Sequence, residues 1–345
     1  MTQKKPKTPV IMVTDSGLGG VSILAHLLHR LKTGVPFHNP HKAECIAIKH
    51  EGFHVWRYAP DTTRADTMQK LMPKRVEKTF QGSKVRVVYF NAMPDYAMGY
   101  NDMKDERQKI FAFNAALTSA QKKFDPALTL IASNTLSALY PHTDFKNTNT
   151  APVKTIAETA LKLMLDFLHK HARSRLVILG TPTTIASGLY TMPLAQNHIP
   201  PKRMITEPCP DLHNLIVRNI VDPHIEKKIS THIMSALGKI AKGTRTALCL
   251  CCTHYGFAVP LFQKILADFD HNVTLINPNL NICDDLLVGC KQKTRPAICI
   301  KIVSQAKIHK DDIGNVCRLV KETAPEIALA LKGYQHVPDF FKWRL

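Results

Sequence analysis

The sequence lacks the features that mark membrane, secreted and metal-stabilised proteins. No apolar run approaches the roughly 18 consecutive residues that span a bilayer. The basic stretch 1–10 has no apolar segment before the first predicted strand, so it does not resemble a secretory signal. Nine cysteines in 345 residues, several within apolar stretches, fit a reducing compartment better than a disulfide framework, and no second ligand cluster accompanies those at 249–252. We therefore predict a cytoplasmic protein with no membrane partner and no metal site.

Acidic residues are also scarce, with 27 aspartates and glutamates against 46 lysines and arginines, a formal charge of +19. Such a charge raises nucleic-acid binding as a function. The basic residues are scattered, however, and the groups at 4–7 and 73–75 are short, with no aromatic residues interleaved at regular spacing. A basic surface that attracts a small anionic substrate explains this pattern better than a nucleic-acid partner.

Core-forming residues are plentiful. At 345 residues and 45% hydrophobic composition, the chain is long enough for two ordinary domains. Predicted strands alternate with predicted helices, which is typical of βαβ units and parallel sheets, so the predicted fold class is α/β. The predicted strands are 10–14, 85–90, 128–132, 176–179, 246–250, 273–276 and 297–303. The predicted helices are 21–31, 107–123, 154–170, 259–269 and 312–323.

The stretch Thr246–Phe257 (TALCLCCTHYGF) carries the most distinctive chemistry. An apolar strand there ends in Cys251 and Cys252, followed by a threonine and a histidine. A thiol beside a hydroxyl and an imidazole, at the carboxyl end of a strand, is typical of active sites in open α/β sheets. We expect Cys249 and Cys251 to be buried core thiols and Cys252 to be the functional one.

Four other stretches have the same form, an apolar strand that ends in small polar residues: Val10–Gly20, Val87–Asn101, Leu128–Ala138 and Leu176–Tyr190. Five such strand ends predict one pocket built at the edges of the sheets. The turn Asp15–Gly20 leads into a helix N-terminus, where free N–H groups favour an anion. It matches neither the dinucleotide pattern nor the P-loop, so a carboxylate is as suitable a guest as a phosphate.

Together these motifs resemble those of the glutamate racemases in the aspartate/glutamate racemase superfamily. The matching segments are DSGLGGVSIL, ASNTLSA, TPTTIASGLY, the Cys209-Pro210 pair and CCTHYGF, in the family's order from Val10 to about Pro278. The CTHY form resembles glutamate racemases more than aspartate racemases. The resemblance implies two pseudo-symmetric, doubly wound lobes with parallel sheets and an active-site cleft between them.

The lobes implied in this way have the following boundaries. The first would comprise residues 8–152 and 258–330, with an insertion at 35–83, and the second would comprise 153–257. The insertion holds a predicted strand at 46–48, aromatic residues at 53, 56 and 58, and a predicted helix near 67–80. The tail 331–345 is aromatic enough to dock on the body of the protein or on a second subunit.

The resemblance implies interconversion of L- and D-glutamate without a cofactor, by proton transfer at the carbon next to a carboxylate. Such a proton is weakly acidic, so the site needs a strong, desolvated base and donors for the carboxylate. Racemisation needs an acid/base group on each face of that carbon, and the family uses two thiols, one from each half. The second thiol matches Cys252, with His254 beside it, and the family's aspartate matches Asp15. The position of the first thiol holds Ser133, and the family's assisting glutamate falls at Val217.

The resemblance also implies a cradle for the carboxylates and the ammonium group of an amino acid. The matching positions are Ser16, Gly99, Asn134, Thr135, Thr184 and Thr253. The implied partner is therefore a small-molecule amino acid or dicarboxylate, and the implied destination of the product is the peptidoglycan of the cell wall. A homodimer is one possible assembly, since the aromatic tail could dock on a second subunit.

Ser133 and Val217 leave alternatives open. A serine introduced in place of a catalytic cysteine would explain position 133 but leave Val217 unexplained. A divergent one-thiol enzyme, similar to the arylmalonate decarboxylases, would carry out one-sided proton chemistry such as decarboxylation or isomerisation with Cys252. A binding protein that has lost catalysis would keep the cradle. Ser133 is equally suited to cap the helix that follows it, because serine, asparagine and threonine are good capping residues.

Overall fold

The computed structural model describes residues 8–33, 46–50, 53–57, 84–267, 272–287 and 297–344 of the chain. These residues form two parallel sheets and a separate antiparallel hairpin of β2 (Ile46–His50) and β3 (Phe53–Arg57). The predicted α/β class is confirmed.

The first sheet has six strands: β1 (Val10–Asp15), β4 (Lys84–Asn91), β5 (Leu128–Ile131), β6 (Val153–Thr155), β11 (Ala297–Ser304) and β12 (Gln335–His336). Their order is β12-β11-β4-β1-β5-β6, and every neighbouring pair is parallel. All residues of the central strand β1 are buried. A continuous apolar run such as this is typical of a parallel strand covered on both faces.

The second sheet has four strands: β7 (Arg175–Gly180), β8 (Met204–Pro208), β9 (Thr246–Cys251) and β10 (Val273–Ile276). Their order is β10-β9-β7-β8, again with every pair parallel. β9 is the strand of the cysteine motif, and it is buried along its whole length. Cys252 is the first residue after its end.

The α-helices of the described residues connect these strands. They are α1 (Val21–Thr33), α2 (Glu106–Phe124), α3 (Asn134–Leu139), α4 (Asp144–Thr148), α5 (Ile156–Lys170), α6 (Pro182–Ala186), α7 (Thr191–Gln196), α8 (Leu212–Asn219), α9 (Pro223–Leu237), α10 (Val259–Ala267), α11 (Pro278–Leu287), α12 (Lys310–Val320) and α13 (Pro325–Lys332). Local sequence fixes several of their starts. For α5, Thr155 and Glu158 form a capping box, in which each side chain accepts a hydrogen bond from the other residue's N–H group.

Helices bury both faces of each sheet. Ile11 and Val13 of β1 pack in one apolar cluster with α1, α12 and α13, while Val10 and Met12 pack in another with α2. Alternation of side chains along a strand accounts for this division. The side chains of β9 divide in the same way, between α9 on one face and α5 on the other. The predicted doubly wound sheets are thus confirmed.

The predicted strands agree with the observed ones to within a residue or two. The helix predicted over 154–170 begins at Ile156, because Val153–Thr155 pairs with the edge of β5 as the short strand β6. The helix predicted over 312–323 runs instead from Lys310 to Val320. The predicted helix near 67–80, the basic groups at 4–7 and 73–75, and residue 58 lie outside the described residues.

The division into lobes at residues 152 and 257 stays a prediction. By sheet membership, β6 belongs with the first sheet although it begins at Val153, and β10 belongs with the second sheet although it follows residue 258. The chain returns to the first sheet at β11.

The C-terminal segment packs against the first sheet. Phe341 is buried, and the ring of Phe340 lies 5.0 Å from that of Phe90 and 5.8 Å from that of Phe124, measured between centroids. The aromatic tail therefore docks on the body of the protein, one of the two positions predicted for it. Among the described helices, none has both the length and the apolar character needed to cross a membrane.

Candidate active site

Strand ends from both sheets border one cavity of about 440 Å³. Ser16 follows β1, Ser133 lies just beyond β5, Thr181 follows β7 and Cys252 follows β9, and each of these residues lines the cavity. The carboxyl edge of a parallel sheet is the usual position of a site, because loops from several strands converge there. One pocket is therefore built from the strand ends that carry the motifs.

The predicted site residues come together at this cavity. Those in its lining are Ser16, Gly99, Ser133, Asn134, Thr135, Thr184, Cys252, Thr253 and His254. Asp15 lies behind the lining, where it is buried and its Oδ2 accepts a hydrogen bond from Thr253 Oγ1 at 3.0 Å. The sequence motifs therefore selected residues that are neighbours in space, and the roles assigned to them stay predictions.

Cys252 combines deep burial with an imidazole neighbour. Its side chain is 6% exposed, and its Sγ lies 3.6 Å from Nδ1 of His254. Burial raises the pKa of the thiol to about 12, and the charge of nearby Asp15 acts in the same direction. Cys252 is therefore protonated at neutral pH, and its thiolate, once formed, is a strong base.

His254 is a neutral imidazole over the whole physiological range. Burial lowers its pKa to about 3, and positive charge on His213, whose ring centroid lies 5.6 Å away, acts in the same direction. A neutral imidazole has one nitrogen free to accept a proton. In the tautomer with that free nitrogen at Nδ1, His254 can accept a hydrogen bond from the thiol of Cys252, and it can take the proton only if its imidazolium form is stabilised.

Asp15 is held by donors from both halves of the site. Its Oδ1 accepts a hydrogen bond from the N–H of Ser16 at 2.6 Å, and its Oδ2 accepts the bond from Thr253. Burial raises the pKa of this carboxyl group, and the hydrogen bonds from Thr253, Ser16 and the N–H of Gly20 oppose the rise. Asp15 can therefore hold a proton at a higher pH than an exposed aspartate.

Ser133 has two partners. Its Oγ accepts a hydrogen bond from the N–H of Leu136 at 3.3 Å, so the predicted N-cap of α3 is confirmed. The same Oγ lies 3.0 Å from Oγ of Ser16, which in turn lies 3.4 Å from Oδ1 of Asp15. A chain of hydroxyl groups therefore leads from the cavity surface at Ser133 to the buried carboxyl group of Asp15.

Asn134 presents an unused donor at the cavity. Its Oδ1 accepts a hydrogen bond from the hydroxyl of Tyr190, which fixes the orientation of the amide. Its Nδ2 is buried and has no hydrogen-bond partner in the part of the chain that the structure describes. Nearby, Oγ1 of Thr135 and Oγ1 of Thr184 lie 3.4 Å apart across the cleft. The amide is thus suited to bind a carboxylate oxygen.

Gly19, in the turn after β1, and Gly99, in the cavity lining, contribute to the site in different ways. A Cβ on Gly19 would lie 2.3 Å from Oγ1 of Thr253 and 2.6 Å from Nδ1 of His254, so only glycine permits this close approach of the turn after β1. The N–H of Gly99 donates to Oδ2 of Asp102 at 2.9 Å. The donor of Gly99 is therefore already engaged, although the residue lines the cavity as predicted.

Val217 is buried in the cavity lining, and its side chain cannot take part in proton transfer. His213 lies one helical turn earlier on α8 and also lines the cavity. Its Nδ1 is buried and has no hydrogen-bond partner within the described ranges. Motif comparison missed His213; a histidine four residues before the altered position, hence on the same helix face, is the signal that would have found it.

No group of three or more potential metal ligands is present among the residues that the structure describes. The sequence does contain His50-Glu51-Gly52-Phe53-His54, which has the spacing of a zinc-binding helix. Here β2 ends at His50 and β3 begins at Phe53. The two histidines therefore belong to strands of a hairpin, and the i, i+4 geometry of a helix does not apply to them.

Two curated proteins are similar to part of this chain. The glutamate racemase of Aquifex aeolicus is 29% identical over 150 residues, which are 44% of this chain and 53% of that protein. The glutamate racemase of Aquifex pyrophilus is 27% identical over 143 residues, 41% of this chain and 52% of that protein. The chain thus matches about half the length of these relatives, and no family model matches it.

Solved glutamate racemases have the same fold over nearly the whole chain. The isoform RacE1 from Bacillus anthracis superposes with a TM-score of 0.61 at 15% identity, covering 96% of this chain and 97% of that one. The enzyme from Francisella tularensis, solved with D-glutamate, gives 0.60 at 19% identity, covering 91% and 94%. The enzyme from Aquifex pyrophilus gives 0.55 at 18% identity, covering 95% and 97%. The resemblance seen in the motifs is confirmed, and the fold is that of these racemases.

Proposed function

We propose that this protein is a cofactor-independent amino-acid racemase of the glutamate type, an isomerase that transfers protons at Cα. The observation that carries the proposal is the meeting of two acid/base systems at one cavity. Cys252 and His254 come from the end of β9 in the second sheet, and Ser133 and Asp15 come from strand ends of the first. Groups that reach one substrate from two sheets can act on opposite faces of its Cα. The likeness in sequence and fold to glutamate racemases supports the same reaction.

On the side of the second sheet, Cys252 is the acid and base. As a thiolate it removes the Cα proton of one enantiomer, and as a thiol it returns a proton to Cα in the reverse direction. Its burial supports this role, because a desolvated thiolate with a pKa near 12 is a stronger base than an ordinary thiolate. The burial also makes the thiolate rare, so a neighbouring proton acceptor such as His254 is needed to form it.

On the side of the first sheet, a hydroxyl chain replaces the second thiol. When Cys252 removes a proton, Ser133 donates its own proton to the opposite face of Cα. Ser133 is reprotonated by Ser16, and Ser16 by protonated Asp15, so Asp15 is left as a carboxylate. In the reverse direction, Ser133 takes the Cα proton as it passes its own proton to Ser16, Ser16 passes one to Asp15, and Cys252 returns its proton to the opposite face of Cα. The raised pKa of Asp15 supports its role as the store of this proton.

The cradle supports an anionic amino acid as the substrate. Asn134 offers an unpaired amide donor, and the hydroxyls of Thr135 and Thr184 lie beside it across the cleft. The net positive charge of the chain favours the approach of a dicarboxylate. We extend the proposal to the supply of D-glutamate for peptidoglycan in the cytoplasm. A homodimeric assembly and the lack of a nucleic-acid partner stay predictions.

The experiment is solvent deuterium exchange at Cα of each enantiomer of glutamate, followed by NMR, with a chiral assay of the product. We expect exchange and inversion from both enantiomers, and none from a Cys252→Ala variant. The matched control is Cys299→Ala, at an exposed cysteine away from the cavity, which should behave as wild type. Exchange from one enantiomer without inversion would indicate a one-base enzyme. No exchange from either would rule out glutamate racemisation.

A further inference from the structure

The cavity contains a second histidine that the motifs of the site do not include. His213 lies in the first turn of α8, and its ring is tilted by 58° to that of His254, with 5.6 Å between the centroids. His254 in turn lies 3.6 Å from Sγ of Cys252, measured from Nδ1. The three side chains therefore form a line from the reactive thiol to α8.

The role of these three side chains depends on the protonation state of His254 when Cys252 ionises. The proton leaves Sγ and moves to Nδ1, so His254 becomes an imidazolium cation in a buried position. A buried cation is costly unless a hydrogen-bond acceptor faces it. In the tautomer with a free Nδ1, Nε2 of His254, on the far side of the ring from Nδ1, already carries a proton, and a hydrogen-bond acceptor for it matters more once the ring is charged.

His213 has the properties of that acceptor. Its Nδ1 is buried and unpartnered within the described residues, as noted above, and burial lowers its pKa, which keeps the ring neutral. A neutral imidazole with a free Nδ1 accepts a hydrogen bond. The carboxyl groups of Asp211 and Asp102 oppose this lowering of the pKa of His213, and burial outweighs them.

The position on the helix explains why this chain has a histidine here. Val217 lies four residues later on α8, on the same face, and both residues line the cavity. A side chain at 217 that could accept a hydrogen bond would face the same region as His213. Valine cannot accept a hydrogen bond, whereas the imidazole one turn earlier can.

We propose that His213 is a positioning residue that stabilises the protonated form of His254 and thereby allows Cys252 to become a thiolate. The catalytic role of His213 rests on the proposed function. Its effect on the ionisation of Cys252 is independent of that function, because the ionisation can be measured without a substrate. His213 acts through His254 and requires no contact with the substrate.

The test measures the alkylation rate of Cys252 by iodoacetamide, followed by mass spectrometry of the peptide, together with kcat and KM for Cα exchange. In His213→Leu, we expect both the alkylation rate and kcat to fall about tenfold or more, with KM within about twofold of wild type. His213→Gln, which keeps an acceptor, should retain most of the activity. His224→Leu, at an exposed histidine on α9, is the matched control and should change neither rate.

The double variant His213→Leu/Val217→Glu gives the sharpest outcome. A carboxylate at 217 can accept the hydrogen bond from His254, so we expect it to recover most of the lost alkylation rate and kcat. Wild-type alkylation and exchange rates in a folded His213→Leu protein would overturn the inference. If His213→Leu does not fold by circular dichroism, His213→Ala with imidazole in the buffer replaces it. Imidazole should then restore the alkylation rate, and a rate that does not respond would overturn the inference.

The two proposals fail in different ways. A wild-type protein that exchanges neither enantiomer of glutamate would contradict the proposed function, while a fall in Cys252 alkylation in His213→Leu would still support the role of His213. Conversely, normal racemisation in His213→Leu would leave the proposed function intact and remove this inference.

Discussion

Thr253 and Asp15, separated by 238 positions in the chain, are joined by a hydrogen bond of 3.0 Å from Oγ1 to Oδ2. Thr253 follows β9 of the second sheet, and Asp15 ends β1 of the first. The buried carboxylate of one half is thus stabilised by a hydroxyl of the other. This bond couples the electrostatics of Asp15 to the contact between the two sheets.

Asp15 is expected to lower stability at neutral pH. Its pKa in the folded protein is raised by burial above the ordinary value of 3.8, so the native state binds this proton more tightly than the unfolded chain. Stability therefore falls as the pH rises from about 3.8 through the folded pKa, and the full penalty is present above it. Asp15→Asn removes the ionisation, and its amide can still donate to Thr253 and accept from Ser16.

We therefore expect Asp15→Asn to abolish exchange while unfolding in urea with an unchanged or higher free energy at pH 7.5. The difference in free energy of unfolding between Asp15→Asn and wild type should become smaller towards pH 4. Asp144→Asn, at an exposed aspartate on α4, serves as the control for the loss of a charge. An Asp15→Asn protein that is less stable than wild type by the same amount at both pH values would contradict the sign of this prediction.

Ser133→Cys should raise the exchange rate for both enantiomers of glutamate, because a thiol ionises far more readily than a serine hydroxyl. The same change removes the N-cap of α3, so the free energy of unfolding should fall by about 1 kcal/mol. Parallel NMR exchange and urea unfolding separate these effects. Ser137→Cys changes another buried serine of α3, one outside the cavity lining, and should not raise the rate. An unchanged or lower rate in Ser133→Cys would mean that position 133 does not face Cα.

Asn134 is expected to contribute to substrate binding through Nδ2. Asn134→Ala should raise KM for glutamate about tenfold, which corresponds to one lost hydrogen bond to a charged group. Asn134→Asp should raise it further, because a carboxylate there repels the carboxylates of the substrate. Tyr190→Phe frees the amide to rotate and should have a smaller effect in the same direction. Equal KM values for wild type and Asn134→Asp would exclude contact between this side chain and a carboxylate.

Gly19 and Gly314 form a matched pair for backbone substitution. A Cβ at Gly19 meets Thr253 and His254 at less than 3 Å, so Gly19→Ala should lower the free energy of unfolding by about 1–3 kcal/mol and reduce exchange. Gly314 lies within α12, and nothing among the described residues comes within 4 Å of a Cβ there. Gly314→Ala should raise stability by about 0.5–1 kcal/mol, the helix preference of alanine over glycine. Urea unfolding of both proteins checks the opposite signs.

The alkylation rate of Cys252 should increase steadily with pH. Because the pKa of its thiol is raised to about 12, the thiolate fraction between pH 7 and 10 is small and grows about tenfold per pH unit. The exposed Cys299 provides an internal comparison in the same sample. A plateau in the alkylation of Cys252 below pH 9 would show that its thiol is far more acidic than its burial implies.

Much of the fold follows from local sequence. Each central strand is a continuous apolar run that ends in small polar residues. Such a run is typical of a parallel strand that is buried on both faces, so the sequence predicts it directly. β6 escaped prediction because Val153–Thr155 is too short to show a pattern and runs directly into a helix. α9 also escaped it, although Pro223 opens the helix and isoleucines at 225, 229 and 233 mark its buried face.

The candidate site could also be predicted only in part. Cys252 and Ser133 could be identified from the sequence because each lies in a short motif at the end of a strand. The contacts between side chains of the site could not be predicted from such motifs. Tyr190 and Asn134 are 56 positions apart, and the contact of His213 with His254 joins a helix to the loop after β9. Neither pairing has a local pattern, because only tertiary packing between elements that are distant in the sequence brings the partners together.

The burial of Cys252 also makes its sulfur resistant to oxidation. Peroxides react with thiolates, so a buried sulfur that remains protonated is a poor target for conversion to a sulfenic acid. Among the cysteines of the described residues, Cys299 is the exposed one, and an oxidant reaches it before the others. Under oxidative stress, the surface of this protein should therefore acquire damage at Cys299 while the sulfur at the base of the cavity stays reduced.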